Sequence, residues 1–155
     1  MAKKIVIANW KMNPQTLKEA ETLFLGVSKV AKSAKNVEVV ICSPFVFLSN
    51  LKKKNIKKLS LGAQNSHFLN KGPHTGEVSP SMLKSIGVKY VIIGHSDRRA
   101  TGETNELISK KILAVLKNGL TPILCVGETS RDHDGNYLPF VKKQIVESLN
   151  NIPKA

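Results

Sequence analysis

Apolar residues along this chain fall into two alternating patterns. Short solid runs at residues 4–10, 37–42, 59–63, 89–94 and 121–126 are rich in Ile, Val and Leu. Such runs are too short for helices and read as strands buried on both faces, as in a parallel sheet. Between them the apolar residues recur every third or fourth position. Leu17, Ala20, Phe24, Val27, Ala31 and Ala34 share one face of a helix predicted over 16–35, and Thr16 with Glu19 fits a capping box at its start. Phe47, Leu48 and Leu51 mark a short second helix. Ser79-Pro80 opens a third, closed by Gly87. Leu107, Ile108, Ile112, Val115 and Leu116 line a fourth over 103–118, stopped by Gly119, and Phe140, Val141, Ile145 and Leu149 are the expected inward face of a fifth over 139–150. Five strand–helix units at roughly 30-residue intervals match consecutive βαβ crossovers. Residues 1–155 therefore read as one parallel α/β domain, with no linker and no clear internal repeat. Periodicity alone does not choose between an open doubly wound sheet and part of a barrel.

Chemistry-bearing residues gather where the strands should end: Asn9 and Lys11, Ser43-Pro44, Gln64-Asn65, His95 and Glu128. In parallel α/β proteins that edge holds the active site. After the run Tyr90–Ile93, Gly94 permits a tight turn and His95 follows at once. Ser96 and Asp97 are the expected helix-start residues, with free N–H groups bearing on the imidazole. A Lys beside such a His suits an anionic carbonyl substrate: the ammonium holds a phosphate or oxyanion, and neutral imidazole donates a proton to the carbonyl oxygen. Taken singly, Lys11 reads equally well as a solvated loop lysine. Glu128 reads as a structural partner of a buried arginine, Arg98 or Arg99. The long polar stretch 64–78 has the length of a functional or partner-contacting loop. No dinucleotide, Walker, zinc-protease or Ser-His-Asp motif is present, and neither a metal nor a cofactor is expected.

The formal net charge of +13 raises nucleic acid, membrane surfaces and anionic metabolites as partners. The lysines are spread at solvent-facing spacing, and the dense run at 52–58 has no interleaved aromatic residue. The expectation is a solvated face, with no nucleic-acid or membrane partner. Cys42 and Cys125 lie in apolar runs without metal spacing, as buried free thiols do in a reducing compartment. The first apolar run is too short for a signal-peptide core, and the expected location is cytoplasmic.

Six segments together carry a resemblance. They are Asn9-Trp10-Lys11-Met12-Asn13, Gly62-Ala63-Gln64-Asn65, the stretch from His74 through Thr75, Gly76 and Glu77 to Pro80, Gly94-His95-Ser96-Asp97-Arg98-Arg99, Gly102 to Leu107, and Cys125-Val126-Gly127-Glu128. In that order and spacing they resemble triosephosphate isomerase over essentially the whole chain. The resemblance implies a (β/α)8 barrel and, in glycolysis and gluconeogenesis, interconversion of dihydroxyacetone phosphate and D-glyceraldehyde 3-phosphate without a cofactor. Lys11 matches the family's active-site lysine and Asn9 the asparagine that helps hold it. His95 matches the electrophilic histidine, whose neutrality is a known feature of the family. Ser96 matches a supporting group behind it. Thr75 belongs to the loop that reaches into a second subunit, with Glu77 and Arg98 as interface partners, so a homo-oligomer is implied.

Three departures qualify the match. Asp97 stands where the family usually has Glu, one methylene longer, so its reach to Lys11 becomes the point to check. The segment after Arg99 is shorter than usual and lacks an aromatic. The full barrel takes about 250 residues, whereas 155 correspond to a truncated (β/α)5 portion of the (β/α)8 fold. Strands six to eight, which carry the glutamate base and the phosphate-gripping loops, have no counterpart. Within the chain the substitutes for that base are Glu128 and Glu103, neither supported by a motif. Activity is then expected to need a complementary C-terminal barrel fragment or assembly. The alternative is a catalytically inactive half-barrel with a structural or oligomer-forming role. In either case the outermost strands, one and five, should be covered by a partner, by self-assembly or by rearranged helices.

Overall fold

The computed structural model describes residues 4–54, 56, 58–128, 130, 135 and 137–153. Five strands, β1 (Lys4–Asn9), β2 (Val37–Ser43), β3 (Leu59–Ala63), β4 (Tyr90–Ile93) and β5 (Thr121–Leu124), form one sheet in sequence order. All four pairings are parallel, with Lys4 opposite Val37, Val39 opposite Leu59, Gly62 opposite Tyr90 and Ile93 opposite Leu124. The sheet curls into part of a (β/α)8 barrel, as a (β/α)5 unit. β5 ends two residues before the expected boundary. Cys125 still donates to Ile93 O at 2.9 Å, but Gly127 N–H turns away to Gln144.

The helices are α1 (Leu17–Ser33), α2 (Phe45–Lys53), α3 (Pro80–Ser85), α4 (Ser96–Ala100), α5 (Asn105–Lys117) and α6 (Tyr137–Ser148). The capping box on α1 forms: Thr16 Oγ1 accepts from Glu19 N–H, and Glu19 Oε2 accepts from Thr16 N–H. Ser79 caps α3 through Met82 N–H, with Pro80 in the first turn. The short α4 between β4 and α5 is an element the apolar pattern did not announce, because no residue of it is buried.

Alternation along the strands sends side chains into two cores. Ile41, Leu61, Ala63, Val91 and Ile93 face outward and pack with Phe24, Leu48, Leu51, Leu83, Ile108 and Ile112 beneath the helices. Each such burial contributes about 1.5–3 kcal/mol. Val40, Cys42, Tyr90 and Ile92 point to the concave side, where Ile123 and Cys125 join them in a smaller cluster. Burial on both faces accounts for the solid apolar runs.

The two outer strands differ from the rest. β1 and β5 each pair on one side only, and Ile5, Val6 and Ile7 are 50%, 54% and 41% exposed. Helices do not rearrange over β1. α6 also departs from expectation, since its buried residues are Gln144 and Ser148, whereas Phe140, Ile145 and Leu149 are largely exposed. Its inner contacts are polar: Ser148 Oγ donates to Asn105 Oδ1 at 3.2 Å, and Ser109 Oγ to Asn150 O at 2.5 Å. The apolar residues of α6 are thus left partly exposed, with Phe140 on the wall of the cleft described below.

Candidate active site

Lys11 leaves the end of β1 in the left-handed region, with φ of 52°, a conformation that costs a non-glycine residue about 1 kcal/mol or more. Local bonds hold it there. Asn9 Oδ1 accepts from Lys11 N–H at 3.0 Å. Gln64, at the end of β3, donates from Nε2 to both Lys11 O (2.8 Å) and Cys42 O (2.9 Å). Gln64 therefore ties the lysine's backbone to β2 and β3. It was legible only as part of a motif, since a polar residue after a strand carries no sign of what it will hold.

His95 sits one residue beyond β4. Gly94 makes the turn with φ of +71°, and a Cβ there would meet Ile108 Cδ1 at 2.9 Å. The expected helix start is one residue off: His95 itself is the N-cap of α4, and its Nδ1 accepts from Asp97 N–H at 3.2 Å. A nitrogen that accepts this bond carries no proton, which assigns the neutral ring's hydrogen to Nε2. Asp97 Oδ2 also lies 3.4 Å from His95 Nδ1. That approach becomes an ion pair only if the imidazole is charged.

The shorter Asp97 does reach Lys11: Oδ2 lies 3.6 Å from Nζ, with both side chains more than half exposed. At that separation and exposure the pair contributes under about 1 kcal/mol. Its consequence is positional, because one carboxylate oxygen approaches both Lys11 and His95. Ser96 is exposed at the first turn of α4.

Behind α4 lies a network that the apolar pattern did not reveal. Arg98 Nε donates to Glu103 Oε1 at 2.9 Å, and Lys111 Nζ donates to the same oxygen at 2.5 Å and to Asn65 Oδ1 at 2.9 Å. Glu103 and Lys111 side chains are each only 4% exposed. Burial pushes the Glu103 carboxyl up, but the Lys111 and Arg98 hydrogen bonds outweigh it and hold the group below its ordinary value. Glu103 is thus a structural anion and a poor proton acceptor. Arg99 donates to Gly94 O (2.7 Å), Asn105 Oδ1 (2.6 Å) and Cys125 O (3.2 Å), tying the ends of β4 and β5 to α5. Arg98 and Arg99 thus bind Glu103 and the strand-end carbonyls from neighbouring positions of α4.

His95, Asp97, Glu103, Glu128 and Gln144 line one open cleft of about 1130 Å³ between α4, α5 and α6. Glu128 is half-buried in its wall. Thr75 and Glu77 are exposed on the loop after β3, in which the His67 ring stacks on Phe68 and meets His74 at a tilt, with ring centroids 4.4 and 4.3 Å apart. Arg98 meets Glu103 within the chain, at 43% side-chain exposure. Among the described residues no helix is long and apolar enough to cross a membrane.

Lys11 and the N-capping His95 thus lie at the carboxyl ends of the strands of a parallel β/α barrel portion, the edge where barrel proteins carry their sites. The family profile described as triosephosphate isomerase matches residues 4–155. A triosephosphate isomerase of Cytophaga hutchinsonii is 45% identical over 153 residues, covering 96% of this chain and 61% of the relative. That of Alkaliphilus oremlandii is 42% identical over 156 residues, covering 99% and 62%, and that of Trichodesmium erythraeum 46% over 155, covering 98% and 64%. The chain belongs to the triosephosphate isomerase family, and spans about three-fifths of the length of the curated relatives it matches.

Proposed function

We propose that these residues form the Lys–His half of a triosephosphate isomerase site, interconverting dihydroxyacetone phosphate and D-glyceraldehyde 3-phosphate. The carrying observation is the convergence of Lys11 Nζ and His95 Nδ1 on one Asp97 oxygen at the carboxyl rim of the sheet. Lys11 is a fixed cation for the phosphate and for the oxyanion that develops as a carbon-bound proton leaves. His95, with its hydrogen on Nε2, donates to the substrate carbonyl oxygen and takes the proton back as the enediol collapses. The reaction also requires a carboxylate within about 3 Å of the carbon-bound proton. Glu103 is held by two cations and Asp97 faces Lys11. The base and the phosphate loops are supplied, in this reading, by strands six to eight, which close the sheet against β1 and β5. Thr75, Glu77 and Arg98 form the contact with a second copy.

The test is to assay isomerase activity of the 155-residue chain alone, and mixed with a separately expressed segment carrying strands six to eight from a relative. Activity only in the mixture, abolished by His95→Gln, is expected. Full activity of the chain alone would remove the need for a complement. A stable complex without turnover would instead support the inactive, structural reading, which the uncovered β1 strand favours.

A further inference from the structure

The lysines that look scattered along the sequence are collected by the fold at the end of the sheet opposite the cleft. The parallel strands all begin there, bringing Lys4, Lys35, Lys58 and Lys89 to or beside their first residues. The outer helices run back toward the same end, and their last turns carry Lys32, Lys52, Lys53, Lys84 and Lys117. Contacts confirm the convergence: Lys58 Nζ donates to Lys32 O at 2.8 Å, Lys84 Nζ to Gly119 O at 3.1 Å, and the Lys52 side chain lies against Gly87. The carboxylates that reach this end are engaged, Glu38 with Lys89 (2.7 Å) and Ser60, and Glu21 with Lys54 (3.0 Å). Asp97, Glu103, Glu128 and Glu147 line the cleft beside His95 together with two cations, Arg99 and Lys143. Among the described residues, the lysines are therefore weighted toward this end.

Each helix-terminal lysine has a local reason to be there, because a cation near a helix carboxyl end is favoured by up to about 1 kcal/mol. It covers Lys58 as well, whose Nζ donates to Lys32 O in the last turn of α1, and Lys89 is held by Glu38; it does not account for Lys4 at the start of β1. Between Lys35 and Lys58 lies an open cleft of about 750 Å³, walled also by Asn36, Glu38 and Ser60. Cations flanking a groove with amide and hydroxyl donors are the groups that contact phosphodiester oxygens. The nearest aromatic rings, Phe24 and Tyr90, are 2% and 5% exposed, so no platform exists for stacking unpaired bases.

We propose that the strand-start end of this molecule binds the phosphate backbone of double-stranded nucleic acid, without sequence preference and independently of the cleft at the other end. The expectation of no nucleic-acid partner rested on linear spacing; in three dimensions the charges converge.

The test is fluorescence anisotropy of the chain titrated into labelled DNA and RNA duplexes two helical turns long, over a salt series. Both duplexes should bind, with log affinity falling linearly with log salt. Lys35→Glu/Lys58→Glu should weaken binding about tenfold or more and reduce the salt slope by about two. Lys18→Glu/Lys142→Glu, which changes net charge equally at exposed sites elsewhere, should leave binding within about twofold of the parent. The milder Lys35→Gln/Lys58→Gln, checked by circular dichroism, separates lost contact from lost fold. Equal weakening by both charge-reversal pairs would overturn the proposal in favour of diffuse attraction. Failure to bind duplexes at low salt would overturn it outright, as would capture by anionic phospholipid vesicles alone.

Discussion

Replacing Lys111 with Met should be among the more damaging substitutions that keep side-chain volume. The Lys111 ammonium and Glu103 carboxylate are both 4% exposed and meet at 2.5 Å, with Asn65 as the ammonium's second acceptor. Met fills the space but leaves the carboxylate buried, with Arg98 as its remaining cation. Breaking one side of a buried pair costs about 3–5 kcal/mol. The half-exposed Arg98 offsets part of that, so about 3 kcal/mol is expected. For a chain of this size that shifts the thermal midpoint down by about 6–12 °C. Urea denaturation at pH 7, followed by circular dichroism, measures it directly. A pH series supplies a second check. In the parent, the Glu103 carboxyl titrates below its ordinary value, so its contribution is present above about pH 4.3 and lost as pH falls through the lower folded value. In Lys111→Met burial is less opposed and the carboxyl titrates higher, so protonation relieves the native state. The difference between the two proteins should be largest near pH 7 and shrink by pH 4. A loss under about 1 kcal/mol, or one that is the same at both pH values, would refute the view that this pair is buried and interdependent.

Further outcomes follow from single contacts. Gly62→Ala drives a methyl into Cys42 Sγ, so overpacking should destabilise by about 1–3 kcal/mol, and Cys42→Ala in the same chain should recover most of it in a double-mutant cycle. Burial, with the neighbouring Cys125, pushes the Cys42 thiol up to about 12; at pH 8 it should resist a thiol reagent in the folded chain and react on unfolding in urea. Gln64→Leu removes the donor to Lys11 O and Cys42 O, and should lower complemented isomerase activity at least tenfold while costing about 1–2 kcal/mol in denaturation.

Much of the fold was readable because parallel strands with both faces buried must be solid apolar runs, and helices laid on one side must repeat every three or four residues. The caps Thr16 and Ser79 were legible for the same reason, since each acts within its own turn. The start of α4 was legible to within one residue from Ser96 and Asp97, but its extent was not, because an exposed five-residue helix has no apolar face. α6 was recognised as a helix but assigned the wrong inner face: its apolar stripe is real, yet the body it meets presents Asn105 and the Gly127 amide, which select Gln144 and Ser148.

By itself the sequence determined the element order, the parallel α/β class, and Lys11, Asn9 and His95 as residues at strand ends, all properties carried by neighbours along the chain. Tertiary structure alone decided what those residues do to one another. It put Asp97 between Lys11 and His95 and set Gln64 beneath the Lys11 backbone. It also held Glu103 as an anion between Lys111 and Arg98, and gathered at one end lysines far apart in sequence. Contacts between elements depend on curvature and register, and those are set by the packing of the whole sheet.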